Sequence, residues 1–126
     1  MLKDDFYTIT SINMESNVIT ATLIINGTHK IFEGHFPGKP VVPGVCMMQM
    51  VKEIAAMALE RDLQLIKADE LKFLQVIDPL ENKEIKMQVQ YNEASERVVN
   101  VSASLVKESL ACFKFKGSFL ARHRQQ

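Results

Sequence analysis

The sequence predicts an α+β domain in which an antiparallel sheet encloses one long helix, and three observations carry that expectation. Residues 45–61 are apolar on nearly every side through their first half, the pattern of a helix covered by sheet rather than lying on a surface. Six further segments carry the β-branched or alternating composition of strands. Between the second of these and the helix lies a stretch dense in proline and glycine, GHFPGKPVVPG at residues 34–44.

Taken in order, residues 7–13 mix β-branched and polar side chains, and residues 18–25 (VITATLII) alternate before turning wholly apolar. Two antiparallel strands joined across residues 15–17 are expected there, with Asn26-Gly27 ending the second. Pro37, Pro40 and Pro43 then fall within seven residues. Each locks its own φ and drives the preceding residue toward extended geometry, so this stretch is a loop and not helix interior. Gly34, Gly38 and Gly44 supply its backbone freedom, and the helix is expected to begin near Pro43 or Gly44. Beyond it, residues 68–77 (ADELKFLQVI) read as a strand and Asp78-Pro79 as a turn, while residues 84–91 (EIKMQVQY) alternate cleanly. A turn at 92–96 leads to strands at 98–107 and 111–120, tightly connected through Glu108-Ser109. No repeat, low-complexity tract or linker interrupts this plan, so residues 1–126 are read as a single domain.

Composition narrows the function class. At 126 residues and 47% hydrophobic, the chain can bury a substantial core. Fifteen basic and fifteen acidic residues cancel, which disfavours nucleic acid as a partner, and Arg122, His123 and Arg124 are expected to form a frayed tail. The first ten residues lack the apolar core of a signal peptide, and no apolar run approaches a membrane span, so a cytoplasmic location is expected. Cys46 and Cys112 lie far apart with no CxxC spacing, and no convincing set of metal ligands exists, so both are expected to be buried thiols. Cys46 falls in the first helical turn, where a thiolate would be stabilised, but a nucleophilic role there would need a nearby base.

Chemistry concentrates at His35. The N–H groups that open a helix have no intrahelical partner and carry the positive end of its dipole, so they can hold a carbonyl oxygen or anion. The loop delivers His35, whose side chain is suited to proton transfer at neutral pH, close to such a place. On residues alone, an incidental histidine in a proline-rich turn is the alternative.

The string HFPGxPxxPG followed by an apolar helix closely resembles the signature of the 3-hydroxyacyl-[acyl carrier protein] dehydratases of bacterial fatty-acid synthesis. Their fold is the hotdog, a curved antiparallel sheet wrapped around one long helix. The resemblance implies that His35 is the catalytic histidine, within a motif formed by Phe36, Pro37, Gly38, Pro40, Pro43 and Gly44. It implies a substrate-binding set of Phe36, Val41, Gly44 and Val45, with the Gly44 N–H on the thioester oxygen and the Val41 carbonyl accepting from the second imidazole nitrogen. In the family, a carboxylate fourteen positions after the histidine, on the partner subunit's helix, completes the site. Counting from His35, that position is Gln49, and an amide cannot ionise or exchange a proton as a carboxyl does.

Glu53 lies four residues beyond Gln49, on the same helix face and about 6 Å along the axis. Many relatives carry the reverse order, acid first and glutamine second, so a swapped pair could hold one carboxylate and one amide in a single network. Alternatively, Glu53 sits with Lys52 on a solvated stripe. Met47, Met48, Met50 and Met57 either line an acyl tunnel or pack the core, as do Phe73, Phe113 and Phe115.

Three readings follow. The first is a dehydratase acting on 3-hydroxyacyl thioesters, in which Gln49 orients water or the hydroxyl. The second is an acyl-thioester hydrolase on the same fold, and the third a catalytically impaired subunit beside an active paralogue. All imply an acyl carrier protein or coenzyme A as carrier of the substrate and no resident cofactor or metal; at least a homodimer is expected, or on the third reading a heterodimer with the active paralogue. Lys30, Lys39, Lys72 and Arg97 are candidates for meeting an acidic carrier.

Overall fold

The structure is a computed structural model that describes residues 1–33 and 40–123. His35 and Phe36, with Gly34, Pro37, Gly38 and Lys39, lie outside the described residues, as does Arg124. The elements run β1 (Tyr7–Glu15), β2 (Val18–Ile25), a 3-10 turn (Lys30–Phe32), α1 (Gly44–Leu59), β3 (Arg61–Phe73), β4 (Glu84–Glu93), β5 (Val98–Lys107) and β6 (Leu110–His123).

The strands form one curved sheet in the order β1-β2-β4-β5-β6-β3, with antiparallel neighbours throughout. Alternation explains which face is buried. Ile85, Met87 and Val89 of β4, Val99, Val101, Ala103 and Leu105 of β5, and Phe113, Phe115 and Phe119 of β6 point to the core. Cys46, Met47, Met50, Val51, Ile54 and Ala55 of α1 meet them from the other side. Met50 is thus a core residue, as are Phe113 and Phe115, whereas Phe73 remains half-exposed.

The two tight hairpins follow the expected positions. Ser16 and Asn17 join β1 to β2 with φ of 51° and 64°, and Glu108 and Ser109 join β5 to β6 with φ of 46° and 72°. Left-handed geometry at both central residues matches the right-handed twist of the strands they connect.

Two expectations need correction. The strand expected at 68–77 is β3 at Arg61–Phe73. Glu60 adopts a left-handed conformation (φ 55°) that ends α1 and turns the chain straight into the sheet, where β6 offers a ladder from His123 to Phe113. Residues 74–77 leave that ladder, with Leu74 N and Gln75 N sharing the Cys112 carbonyl at 2.8 and 3.3 Å. Finally, Arg122 and His123 are not a frayed tail, because they pair with Asp62 and Arg61 at the end of β6.

Strand β3 is a sheet edge of thirteen residues and carries Leu65, Ile66, Leu71 and Phe73 exposed. A sheet edge of this length, with four exposed apolar side chains interspersed among charged ones, offers backbone groups for strand addition.

Candidate active site

The positioning of the α1 N-terminus begins at Val42, which is buried and whose N–H donates to the Ile77 carbonyl at 2.9 Å. Pro43 is the N-cap (φ −64°, ψ 146°), with no side chain capping the helix. The Pro43 carbonyl accepts from Cys46 N at 3.0 Å and Met47 N at 3.2 Å. The N–H groups of Gly44 and Val45 therefore precede the first intrahelical donors and stand at the positive end of the helix dipole.

Gly44 opens into an apolar cleft of about 320 Å³, walled by Val41, Met47, Phe73, Leu74 and Val76. Met47 thus borders the cleft, while Val45 is 77% exposed on the outer side of the first turn. The ring of Phe73 lies directly on Gly44, where a Cβ would come within 2.6 Å of its Cε1. Glycine at this position lets an aromatic ring close over the helix start. That role of Phe73 was not legible in the sequence, because it depends on β3 running back beside the helix.

The second cluster is centred on Glu53, which is 8% exposed and therefore not on a solvated stripe with Lys52. Its carboxylate accepts from Gln49 Nε2 at 2.8 Å, Leu2 N at 2.8 Å, Lys3 N at 2.9 Å and the Tyr7 hydroxyl at 3.0 Å. Burial alone would raise the Glu53 carboxyl, but these four donors outweigh it and hold the group below the usual carboxylate range. Tyr7 is shifted upward, first by burial and then by the facing carboxylate, so it stays a donor. Gln49 and Glu53 do share one network, as a swapped pair would. Tyr7 and the backbone of residues 2 and 3 were not foreseen, since nothing local ties them to a helix some fifty residues away.

Gly44 and Gln49 face different directions. Five residues along a helix correspond to about 7.5 Å of rise and about 140° of rotation beyond a full turn. Gln49 accordingly lines a separate cavity of about 540 Å³, with Lys3, Lys52, Glu53, Met57 and Leu63. Cys46 is buried and its thiol is pushed up by burial, which makes it a packing residue instead of an activated nucleophile. Cys112 is buried as well. Among the described residues no cluster of His, Cys, Asp and Glu could hold a metal ion, and no helix is long and apolar enough to cross a membrane.

Comparison with known proteins supports the sequence resemblance. Residues 11–114 match the protein family described as ApeI-like, ApeI dehydratase. The 3-hydroxyacyl-[acyl-carrier-protein] dehydratase FabZ of Caulobacter vibrioides is 27% identical over 86 residues, covering 68% of this chain and 50% of that protein. The FabZ of Levilactobacillus brevis is 28% identical over 101 residues, covering 75% of this chain and 68% of its own length. The chain thus spans about half the length of the Caulobacter relatives it matches.

Among solved structures, the dehydratase heterocomplex ApeI:P from Xenorhabdus doucetiae contains a chain similar at a TM-score of 0.72 and 18% identity, with 89% of this chain and 96% of that one covered. A hypothetical thioesterase with coenzyme A from Streptococcus pneumoniae TIGR4 has a TM-score of 0.67 at 7% identity, covering 95% of this chain and 88% of the other. These likenesses establish the hotdog fold. With the family match across most of its length, the chain belongs to the ApeI-like dehydratase family.

Proposed function

We propose that this chain dehydrates 3-hydroxyacyl thioesters to trans-2-enoyl thioesters as a two-fold pair, with the acyl group carried on the phosphopantetheine arm of an acyl carrier protein or coenzyme A. The observation that carries the reading is a helix N-terminus at Gly44, opening into an apolar cleft directly after the HFPGxPxxPG motif. The apolar wall suits an acyl chain, and the free N–H groups suit a thioester oxygen that gains enolate charge.

In this mechanism His35 takes the C2 proton, and the electron pair left on C2 forms the C2=C3 bond as the C3–O bond breaks. The departing hydroxyl gains a proton and leaves as water. Because Gly44 and Gln49 of one chain face different sides of α1, the helix face bearing Gln49 comes from a second copy. The thirteen-residue edge strand β3, with Leu65, Ile66, Leu71 and Phe73 exposed, supports a pairing that extends the sheet from one copy to the other. No resident cofactor is needed.

The test incubates the purified protein with 3-hydroxyacyl thioesters of carrier protein and of coenzyme A, beside His35→Ala and Gln49→Glu variants. Enoyl product with the thiol retained is expected from the wild type, and His35→Ala should lose about two to four decades in rate. Release of free thiol instead would favour a hydrolase. Dehydration by none of the three proteins would refute the reading.

A second reading is favoured by one observation. Gln49 cannot ionise and Glu53 is held ionised by four donors, so this helix face offers no carboxylic proton. On that reading the chain supplies His35 to a different subunit that carries the acid. Activity appearing only in Gln49→Glu, or only on mixing with such a paralogue, would select it.

A further inference from the structure

We propose that Glu53 is a positioning residue that holds the Gln49 side chain with its carbonyl oxygen outward, so that Gln49 acts as a fixed hydrogen-bond acceptor at the reaction site. The inference rests on the dehydratase reading above.

Its basis is donor and acceptor chemistry. An ionised carboxylate only accepts, so the Gln49 atom 2.8 Å from Glu53 Oε2 must be the NH₂ group. That assignment leaves Oε1 on the opposite side of the amide, with one N–H remaining. Three further donors, from Leu2, Lys3 and Tyr7, fill the rest of the carboxylate and keep it from rotating. Glu53 is buried, as is Tyr7, so the clamp is built into the fold where a surface pair would be mobile.

A fixed carbonyl accepts a hydrogen bond from the C3 hydroxyl of a substrate or from water. It orients the leaving group without supplying the proton, which then comes from solvent. The N-terminal segment, through residues 2, 3 and 7, becomes part of the apparatus that sets this orientation. Misplacing such a contact by about an ångström can lower a rate by up to about two decades.

The experiment compares wild type with Glu53→Gln, Glu53→Ala, Tyr7→Phe and the swapped double variant Gln49→Glu/Glu53→Gln. Two readouts are used: pH profiles of kcat and KM for dehydration, and hydrogen exchange of the Gln49 side-chain amide by NMR. The expected result is a fall of about tenfold or more in kcat for Glu53→Gln and Glu53→Ala, with KM nearly constant and the shape of the pH profile unchanged. Tyr7→Phe should lose less. The swapped variant should regain rate and acquire a limb from its new acid. Amide exchange of Gln49 should quicken at least tenfold in Glu53→Ala.

Loss of a pH limb in Glu53→Gln would make Glu53 the acid itself and overturn the proposal. Wild-type kcat in Glu53→Ala would do the same. If no protein dehydrates any thioester, the dehydratase reading fails separately, and unchanged amide exchange in Glu53→Ala still refutes the positioning.

Discussion

The Phe73 ring rests on Gly44 so closely that a Cβ there would stand 2.6 Å from Cε1 and 2.7 Å from Cζ. Phe73 lies 5.2 Å from Phe113, ring centre to ring centre, so one side of it is anchored while more than half of its surface faces solvent. The ring can therefore yield, but only by leaving the mouth of the cleft. Gly44→Ala should gain helix propensity and lose this contact, with a net stability change within about 1 kcal/mol. A double-mutant cycle with Phe73→Ala is expected to show coupling of about 1 kcal/mol between the two sites, measured by urea unfolding.

The Glu53 carboxylate sets a pH dependence whose sign is fixed by its donors. Its folded value lies below the ordinary carboxylate value, so the group contributes stability at pH above the unfolded value near 4.3. That contribution is lost as pH falls through the lower, folded value. Glu53→Gln should flatten the stability profile between about pH 5 and pH 3, read from urea midpoints across that range. Glu53→Ala should cost about 1–3 kcal/mol at neutral pH, because the Tyr7 hydroxyl and two backbone N–H groups lose their acceptor.

Gly117 lies in β6 opposite Ala68 and Val101, beside two irregularities in the β3 ladder at residues 65–67 and 68–70. A Cβ at this position would strike the Lys67 carbonyl and come 2.6 Å from Phe115 Cζ. Since one neighbour is backbone and the other a fully buried ring, neither can move cheaply. Gly117→Ala is expected to destabilise by about 1–3 kcal/mol, and a thermal melt would show it.

Glu108 and Ser109 hold positive φ without being glycine or asparagine. Replacing the pair with Asn-Gly relieves that cost at a solvent-exposed turn, so the double substitution should raise stability by about 1 kcal/mol. Unchanged urea midpoints would show that the left-handed pair is not strained.

Much of the fold was legible because its signals are local. Alternation located β2 and β4, the turns at 92–96 and 108–109 framed β5 and β6, and apolarity on nearly every side of its first half pointed to an enclosed α1. The motif carried the family. The start of β3 was missed because residues 61–67 have no strong alternation of their own, and the β6 ladder opposite decides their conformation. Glu53 was legible only as a helix neighbour of Gln49.

By itself, therefore, the sequence determined an α+β chain built around one helix, the family, and the absence of a carboxylate at position 49. Only the tertiary structure decided what the nearby carboxylate does. Burial would drive an isolated Glu53 toward its neutral, proton-bearing form, whereas four donors converging from α1 and the N-terminal segment hold it charged. Tertiary contacts likewise placed Phe73 over Gly44. Such relationships depend on chain segments meeting at a distance, which no local pattern of residue types encodes.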